Sequence, residues 1–256
     1  MNVLVCVKHA VDESELKADE SGKPKFQNAQ MKMSTFDRNA VEEAVRIREA
    51  KGGSNAVMTL GVADARKTLR EALAMGIDRG YIITANPDDH DALTTSYFLA
   101  RAIGKIGGFD LVICAEGASD TYHGQVGSMI AAWSSLPCLA YARKIGLKDG
   151  LIECEEALED RIEVTRAKLP AVVTVVSEIN EARYPTLLQI MQASKKPIDE
   201  IALDSLSGPD MPRRAVEVLE IKGQTMTRKG VIFEGTPEES GKKLTDALRK
   251  AGVLKN

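Results

Sequence analysis

What this 256-residue sequence lacks already removes several function classes. No apolar run approaches the roughly 18 residues that a membrane span requires. The four cysteines, Cys6, Cys114, Cys138 and Cys154, stand singly, with no C-x-x-C pair and no histidines at ligand spacing, so neither a disulfide framework nor a metal site is expected. Cys6 and Cys114 lie in apolar runs, where a free cysteine behaves as a small hydrophobe. The three histidines, His9, His90 and His123, fall in neither an H-E-x-x-H nor a G-x-S-x-G context, and no carboxylate pair stands out as an acid/base couple. The P-loop and G-x-G-x-x-G patterns are also missing. With 34 basic against 37 acidic residues the net charge is −3, which gives no overall field to attract nucleic acid or an acidic membrane. The apolar run 3–7 is too short for a signal peptide and reads as a first strand, so a cytoplasmic location is expected.

What is present is an alternation of buried strands and amphipathic helices. Runs rich in β-branched residues occur at 3–7, 56–60, 81–84, 111–114 and 172–176, the pattern of strands covered on both faces. Between them, residues 37–51, 64–75 and 89–106 carry apolar side chains at helical spacing and end on Gly52-Gly53, Gly76 and Gly107-Gly108. This order predicts an α/β fold with a doubly wound, mainly parallel, Rossmann-like sheet. Residues 11–33 form a polar insertion of the kind that is functional or carries a small hairpin. After Cys138 come strand-like runs broken by a turn at Asp149-Gly150, then a short, partly helical stretch at 184–196. Residues 197–229, with Pro209 and Pro212, predict an extended arm. The last helix is marked by Thr236 as N-cap, Pro237 at its first position and Glu239 completing a capping box. The expected division is 1–196 as a nucleotide-binding domain and 197–256 as a C-terminal arm and helix.

In such a sheet, ligands bind beyond the carboxyl ends of the strands. Two loops there stand out, residues 8–12 and residues 116–128. The second leads into a helix expected at 126–134, whose first N–H groups, from Gln125, Val126, Gly127 and Ser128, can face a phosphate, with Gly124 and Gly127 allowing close approach. On spacing alone, a merely flexible connection is the competing reading. His123 either lines this loop or is solvated.

The stretch VTRAKLPAVVTVVSEINEARYPTLLQIMQASKKPI (164–198) resembles the signature of electron-transfer flavoprotein beta subunits. The resemblance extends to FDRNAVEEAVRIREAKGG (36–53), EALAMGIDRGYII (71–83) and the loop 120–127, and so covers essentially the whole chain. It implies a non-catalytic electron-carrier subunit. The partner alpha subunit would hold FAD, and the heterodimer would take electrons from a flavin-dependent dehydrogenase. It also implies a structural AMP on this chain, at the positions Cys6, Ser34, Thr35, Phe36, Asp37, Leu60, Asp120, Thr121, Tyr122, His123, Gly124, Gln125, Val126, Gly127 and Ser128. The family's partner-docking segment matches Tyr184, Leu187, Leu188 and Ile190, with Leu187 as anchor; read without the resemblance, Leu187 and Ile190 are core contacts of a short helix.

The sequence departs from the family where the loop commonly reads D-x-D-x-x-Q-(T/V)-G: Tyr122 replaces the second Asp and His123 follows it. Ser34-Thr35 stands where Asn-Pro is common. A bifurcating branch of the family carries a second FAD in place of AMP and commonly shows V-K-Q-V-P-D near the start; residues 7–12 here read V-K-H-A-V-D, and AMP is the expected occupant. A stand-alone nucleotide-sensing module would need a further glycine-rich phosphate motif after Gly127, where no glycine recurs until Gly146. An adenylating enzyme would want glycines near the first strand, and residues 7–12 have none.

Overall fold

The computed structural model describes residues 1–19, 23–25, 29–221 and 230–254. Contacts divide the chain into two units, one of residues 1–17 with 24–221 and one of residues 18–23 with 222–256.

The first unit is built on a nine-stranded sheet. Its strands are β1 (Asn2–Cys6), β2 (Ser54–Gly61), β3 (Arg79–Thr84), β4 (Leu111–Ala115), β5 (Cys138–Lys148), β6 (Leu151–Ala157), β7 (Ile162–Lys168), β8 (Ala171–Val175) and β9 (Ile198–Ala202). Across the sheet they lie in the order β7-β6-β5-β8-β4-β1-β2-β3-β9. All neighbours are parallel except at β5-β6-β7, a meander of antiparallel pairs. The β5–β6 turn is Asp149-Gly150, both with left-handed φ (52° and 76°), the backbone that lets two strands reverse in two residues.

The helices are α1 (Thr35–Lys51), α2 (Arg66–Met75), α3 (Ala92–Ile106), α4 (Val126–Ser134), α5 (Leu187–Ala193) and α6 (Pro237–Lys250). Because side chains alternate across a strand, β1 sends Val3 and Val5 into a core with α1 and α2, and Leu4 and Cys6 into a second core with α3 and α4. β4 divides the same way, Leu111 and Ile113 to one face, Val112 and Cys114 to the other. Two cores on one sheet explain why these strands read as uninterrupted apolar runs rather than as alternating ones. The sheet is thus the doubly wound, mainly parallel one expected from the sequence.

Two local expectations change. Residues 198–202, expected to begin an extended arm, form the edge strand β9, paired in parallel with β3; Leu206 beyond it is buried. The arm proper begins after that: residues 208–221 carry no helix or strand, and 222–229 lie outside the described residues. An antiparallel pair, His9–Val11 against Met31–Met33, closes the base of the polar insertion. In the second unit, α6 has the expected N-terminus: the Thr236 side chain accepts from Glu239 N–H in a capping box, with Pro237 in the first turn.

Candidate functional site

β1 is flanked by β2 on one side and β4 on the other. The chain runs outward from β1 through β2 and β3, then returns to the opposite side at β4. This is the topological switch, where the carboxyl-end loops part and leave a crevice. Cys6 and Cys114 are register partners at that end of the two strands.

Above them, three segments are tied together. The backbone N–H of Lys8 donates to Asp37 Oδ2 at 2.7 Å, holding the end of β1 against the first turn of α1. Lys8 Nζ donates to Asp120 Oδ1 at 2.8 Å and to Thr121 Oγ1 at 3.2 Å, reaching the loop after β4. The fully buried Ser34 accepts a hydrogen bond from Ser119 N–H at 3.1 Å. The Phe36 ring meets Tyr122 edge-on with centroids 5.5 Å apart. So Ser34, Phe36, Asp37, Asp120, Thr121 and Tyr122 form one connected constellation around Lys8. Lys8 itself carried no signal beyond its place directly after the first strand. Thr35, His123, Gly124, Gln125 and Ser128 are exposed along the same rim. Leu60 is the second-last residue of β2 and packs with the core on the α3/α4 face.

Electrostatically the crevice sets the Lys8 ammonium beside a perturbed acid. Burial raises the Asp37 carboxyl to about 8, against the lowering effect of the Lys8 N–H bond and the Lys8 ammonium, and the nearby Asp120 carboxylate adds to the rise. The hydrogen bond with Cys6, together with burial, holds the Cys114 thiol well above the usual thiol range, so it does not supply a thiolate. Two features leave hydrogen-bonding capacity open in this part of the chain. The first turn of α4 has no side-chain cap, so its N–H groups keep free donor capacity. In the same 116–128 loop the buried Ser119 hydroxyl has no hydrogen-bond partner among the described residues.

Gly127 takes a different part from Gly124. A Cβ on Gly127 would sit 2.5 Å from Thr174 Cγ2 and 3.1 Å from Cys114 Cβ, so this glycine lets α4 lie directly on β4 and β8. Gly124, at φ 64°, provides the left-handed turn before the helix.

A second surface lies on the α1/α2 side. Arg183 clamps the segment after β8 onto α1: its Nε donates to Glu42 Oε2 at 2.8 Å and its Nη1 to Glu49 Oε1 at 2.7 Å. The Asn39 side chain donates to Asn180 O at 2.7 Å, and the Asn180 side chain returns a bond to Asn39 O at 3.0 Å. Glu42 is buried; its bonds with Arg183 and Arg46 outweigh the cost of burial and hold its carboxyl below the usual range. Past this clamp, Thr186 and Gln189 form a capping box that starts α5, which packs on α2. The apolar side chains just beyond the clamp face outward: Tyr184 is 84% exposed, Leu187 75%, Leu188 63% and Ile190 51%. Leu187 and Ile190 are therefore not core contacts in this chain; the helix is seated by Ala193 instead. Among the described residues no group of acids, histidines and cysteines could hold a metal ion, and no helix is long and apolar enough to cross a membrane.

Comparison with known proteins identifies the family. The electron transfer flavoprotein domain matches residues 25–206. The "Electron transfer flavoprotein subunit beta" of Thermoanaerobacterium thermosaccharolyticum is 33% identical over 99% of this chain and 100% of its own length. That of Bacillus subtilis is also 33% identical, over 97% of this chain and 98% of its own. The "Caffeyl-CoA reductase-Etf complex subunit CarD" of Acetobacterium woodii is 35% identical over 77% of both chains. The chain therefore belongs to the electron transfer flavoprotein family, as a member of its beta-subunit type.

Proposed function

We propose that this chain is the nucleotide-holding and partner-docking subunit of a heterodimeric electron carrier, and that its switch-point crevice binds AMP. The observation that carries the nucleotide reading is the convergence of Lys8, Ser34, Asp37, Asp120 and Thr121 on one crevice, beside an uncapped α4 N-terminus and the unsatisfied Ser119 hydroxyl. A phosphate accepts from the first-turn N–H groups of α4, where the helix dipole favours negative charge. Backbone groups near Cys6 hydrogen-bond the base. In this reading the redox chemistry belongs to an FAD held mainly by the alpha subunit. The present chain orients that subunit and presents Tyr184, Leu187, Leu188 and Ile190 to a flavin-dependent dehydrogenase. It acts as a carrier and uses no acid/base residue of its own.

The test is to co-purify the chain with its alpha subunit, extract the bound nucleotides and quantify them. One FAD and one AMP per heterodimer is the expected result; absence of adenine nucleotide beyond the flavin overturns the crevice assignment. A second reading, in which the crevice holds another FAD as in bifurcating members, draws on the similarity to a subunit named for a caffeyl-CoA reductase complex. About two FAD per heterodimer would decide for it.

A further inference from the structure

Among the described residues, four other than glycine have left-handed backbone: Tyr122, Ser135, Tyr141 and Asp149. Ser135 ends α4, Asp149 sits in a two-residue hairpin turn, and Tyr122 is held by its hydroxyl bond to Glu116 and its ring edge on Phe36. Tyr141, at φ 56°, ends no helix, and its hydroxyl makes no hydrogen bond among the described residues. The residue is 40% exposed. A bulky residue adopts this backbone at an energetic cost, and residues that do so gather at ligand sites.

The strained residue has a geometric consequence. Where β5 pairs with β8, Val173 faces Leu139 and Val175 faces Ala142, so two residues of β5, Ala140 and Tyr141, stand opposite Thr174 alone. This is a β-bulge, a device that re-aims a side chain beside a site. Leu139 and Ala142 both reach the core shared with α1 and α2. In an unbroken strand Tyr141 would join Leu139 on that face. The extra residue releases it, and its hydroxyl lies 4.0 Å from where a Cβ on Gly124 would stand, at the turn just before α4. Thr174 fixes this placement from two sides. Its Oγ1 accepts from Tyr141 N–H at 2.9 Å, and its Cγ2 would lie 2.5 Å from a Cβ on Gly127, in the first turn of α4. One strand residue thus ties the bulge to the helix start, and the phenol stands beside the loop whose following N–H groups carry no side-chain cap.

We infer that Tyr141 is a phosphate-binding residue of the switch-point crevice: its hydroxyl donates to the phosphate of the bound nucleotide beside the first-turn N–H groups of α4, and so selects a nucleoside monophosphate over the bare nucleoside. The inference rests on the nucleotide reading given above and deepens it, because it brings a residue of β5 to a site otherwise built from β1, α1 and the loop after β4. A hydrogen bond to the charged phosphate offsets the cost of the left-handed backbone, which no contact of the hydroxyl within the described residues does.

The test uses the heterodimer with its alpha subunit, refolded from denaturant with FAD alone and titrated calorimetrically with AMP and, separately, with adenosine. In Tyr141→Phe the ring stays and only the hydroxyl goes. Its affinity for AMP should fall about tenfold or more, as for the loss of one hydrogen bond to a charged group, while its affinity for adenosine and its nucleotide-free melting temperature stay at the wild-type values. Tyr141→Asn, whose side chain tolerates left-handed backbone, should show the same loss of preference for AMP. An unaltered ratio of AMP to adenosine affinity in Tyr141→Phe, where the wild type binds AMP, overturns the role of Tyr141 and leaves the crevice assignment standing. An equal fall for both ligands also overturns it, because the hydroxyl would then shape the crevice without reading the phosphate. A wild-type heterodimer that binds neither ligand overturns the crevice assignment, and the role of Tyr141 with it.

Discussion

Asp37 is the residue on which pH should act most strongly. Its carboxyl, raised from 3.8 to about 8 by burial, takes up a proton in the folded chain at pH values where the unfolded chain has released it. Between those two values the folded state binds more protons, so its stability is full below about pH 4 and is lost as pH rises through 8. The Lys8 N–H bond remains available to an amide oxygen. Asp37→Asn should therefore flatten the stability profile between pH 5 and 9 and raise stability at pH 9 by a few kcal/mol, order of magnitude. Denaturant titrations of both proteins at several pH values check this; parallel profiles would refute the assignment of the titration to Asp37. Leu187 is the second residue whose role can be isolated. Because it is 75% exposed, Leu187→Ala should change stability by no more than about 0.5 kcal/mol. If it anchors the dehydrogenase, the same change should weaken docking by about 2 kcal/mol, roughly 30-fold in affinity. Melting temperature and dehydrogenase-coupled rate, measured on one preparation, separate these effects, and a destabilised variant with a normal rate per folded molecule would refute the anchor role.

At the scale of elements, α4 depends on the absence of a side chain. Gly127 lets the helix touch Thr174 and Cys114, and a methyl there overpacks the contact. Gly127→Ala should cost about 1–3 kcal/mol. That corresponds to a fall in melting temperature of about 2–4 °C for each kcal/mol. Thr174→Ser removes the Cγ2 methyl that the new Cβ would strike while keeping the Oγ that accepts from Tyr141 N–H. The double variant should recover part of the loss, and additive effects would count against this packing account. The segment that presents Tyr184 and Leu187 depends instead on a charge. Glu42 is buried and shared between Arg46 and Arg183. Arg183→Met leaves it one partner short and also removes two hydrogen bonds to Glu49, so the chain should lose about 3 kcal/mol, near the lower end for broken buried pairs. Urea titration measures it, and a change below about 0.5 kcal/mol would show that the Asn39–Asn180 bonds suffice to seat the segment.

For the whole molecule, the uncovered apolar surface sets the expectation. Leu219 and Ile232 are 88% and 84% exposed, and no residue of α6 is buried within the chain. Surface of this kind in one subunit calls for cover by another. The chain alone should self-associate and bind little flavin, whereas co-expression with its alpha subunit should give a 1:1 complex by light scattering. A stable, monomeric, flavin-loaded preparation of this chain alone would contradict it.

How much of this was legible beforehand follows from the range of the forces involved. Local signals are written in neighbouring residues, and they identified the buried strands, the Asp149-Gly150 turn and the capped helix at Thr236 before any packing was known. The family likewise followed from contiguous motifs. β9 could not be read, because Ile198–Ala202 is a short edge strand with acidic residues that pairs with the distant β3. Lys8, Glu116 and Ser119 lay in the two loops that stood out, but nothing set them apart within those loops, because their contacts run across 29 or more residues or come from a ring folded back over a loop. The sequence by itself determined the alternation of elements, since hydrophobic periodicity and capping act over a few residues. Only the tertiary structure decided that Asp37 is buried, that Gly127 faces the sheet, that Leu187 faces solvent and that Tyr122 closes over its own loop. Each of these depends on which distant surface arrives beside the residue, and that is fixed when the whole sheet assembles.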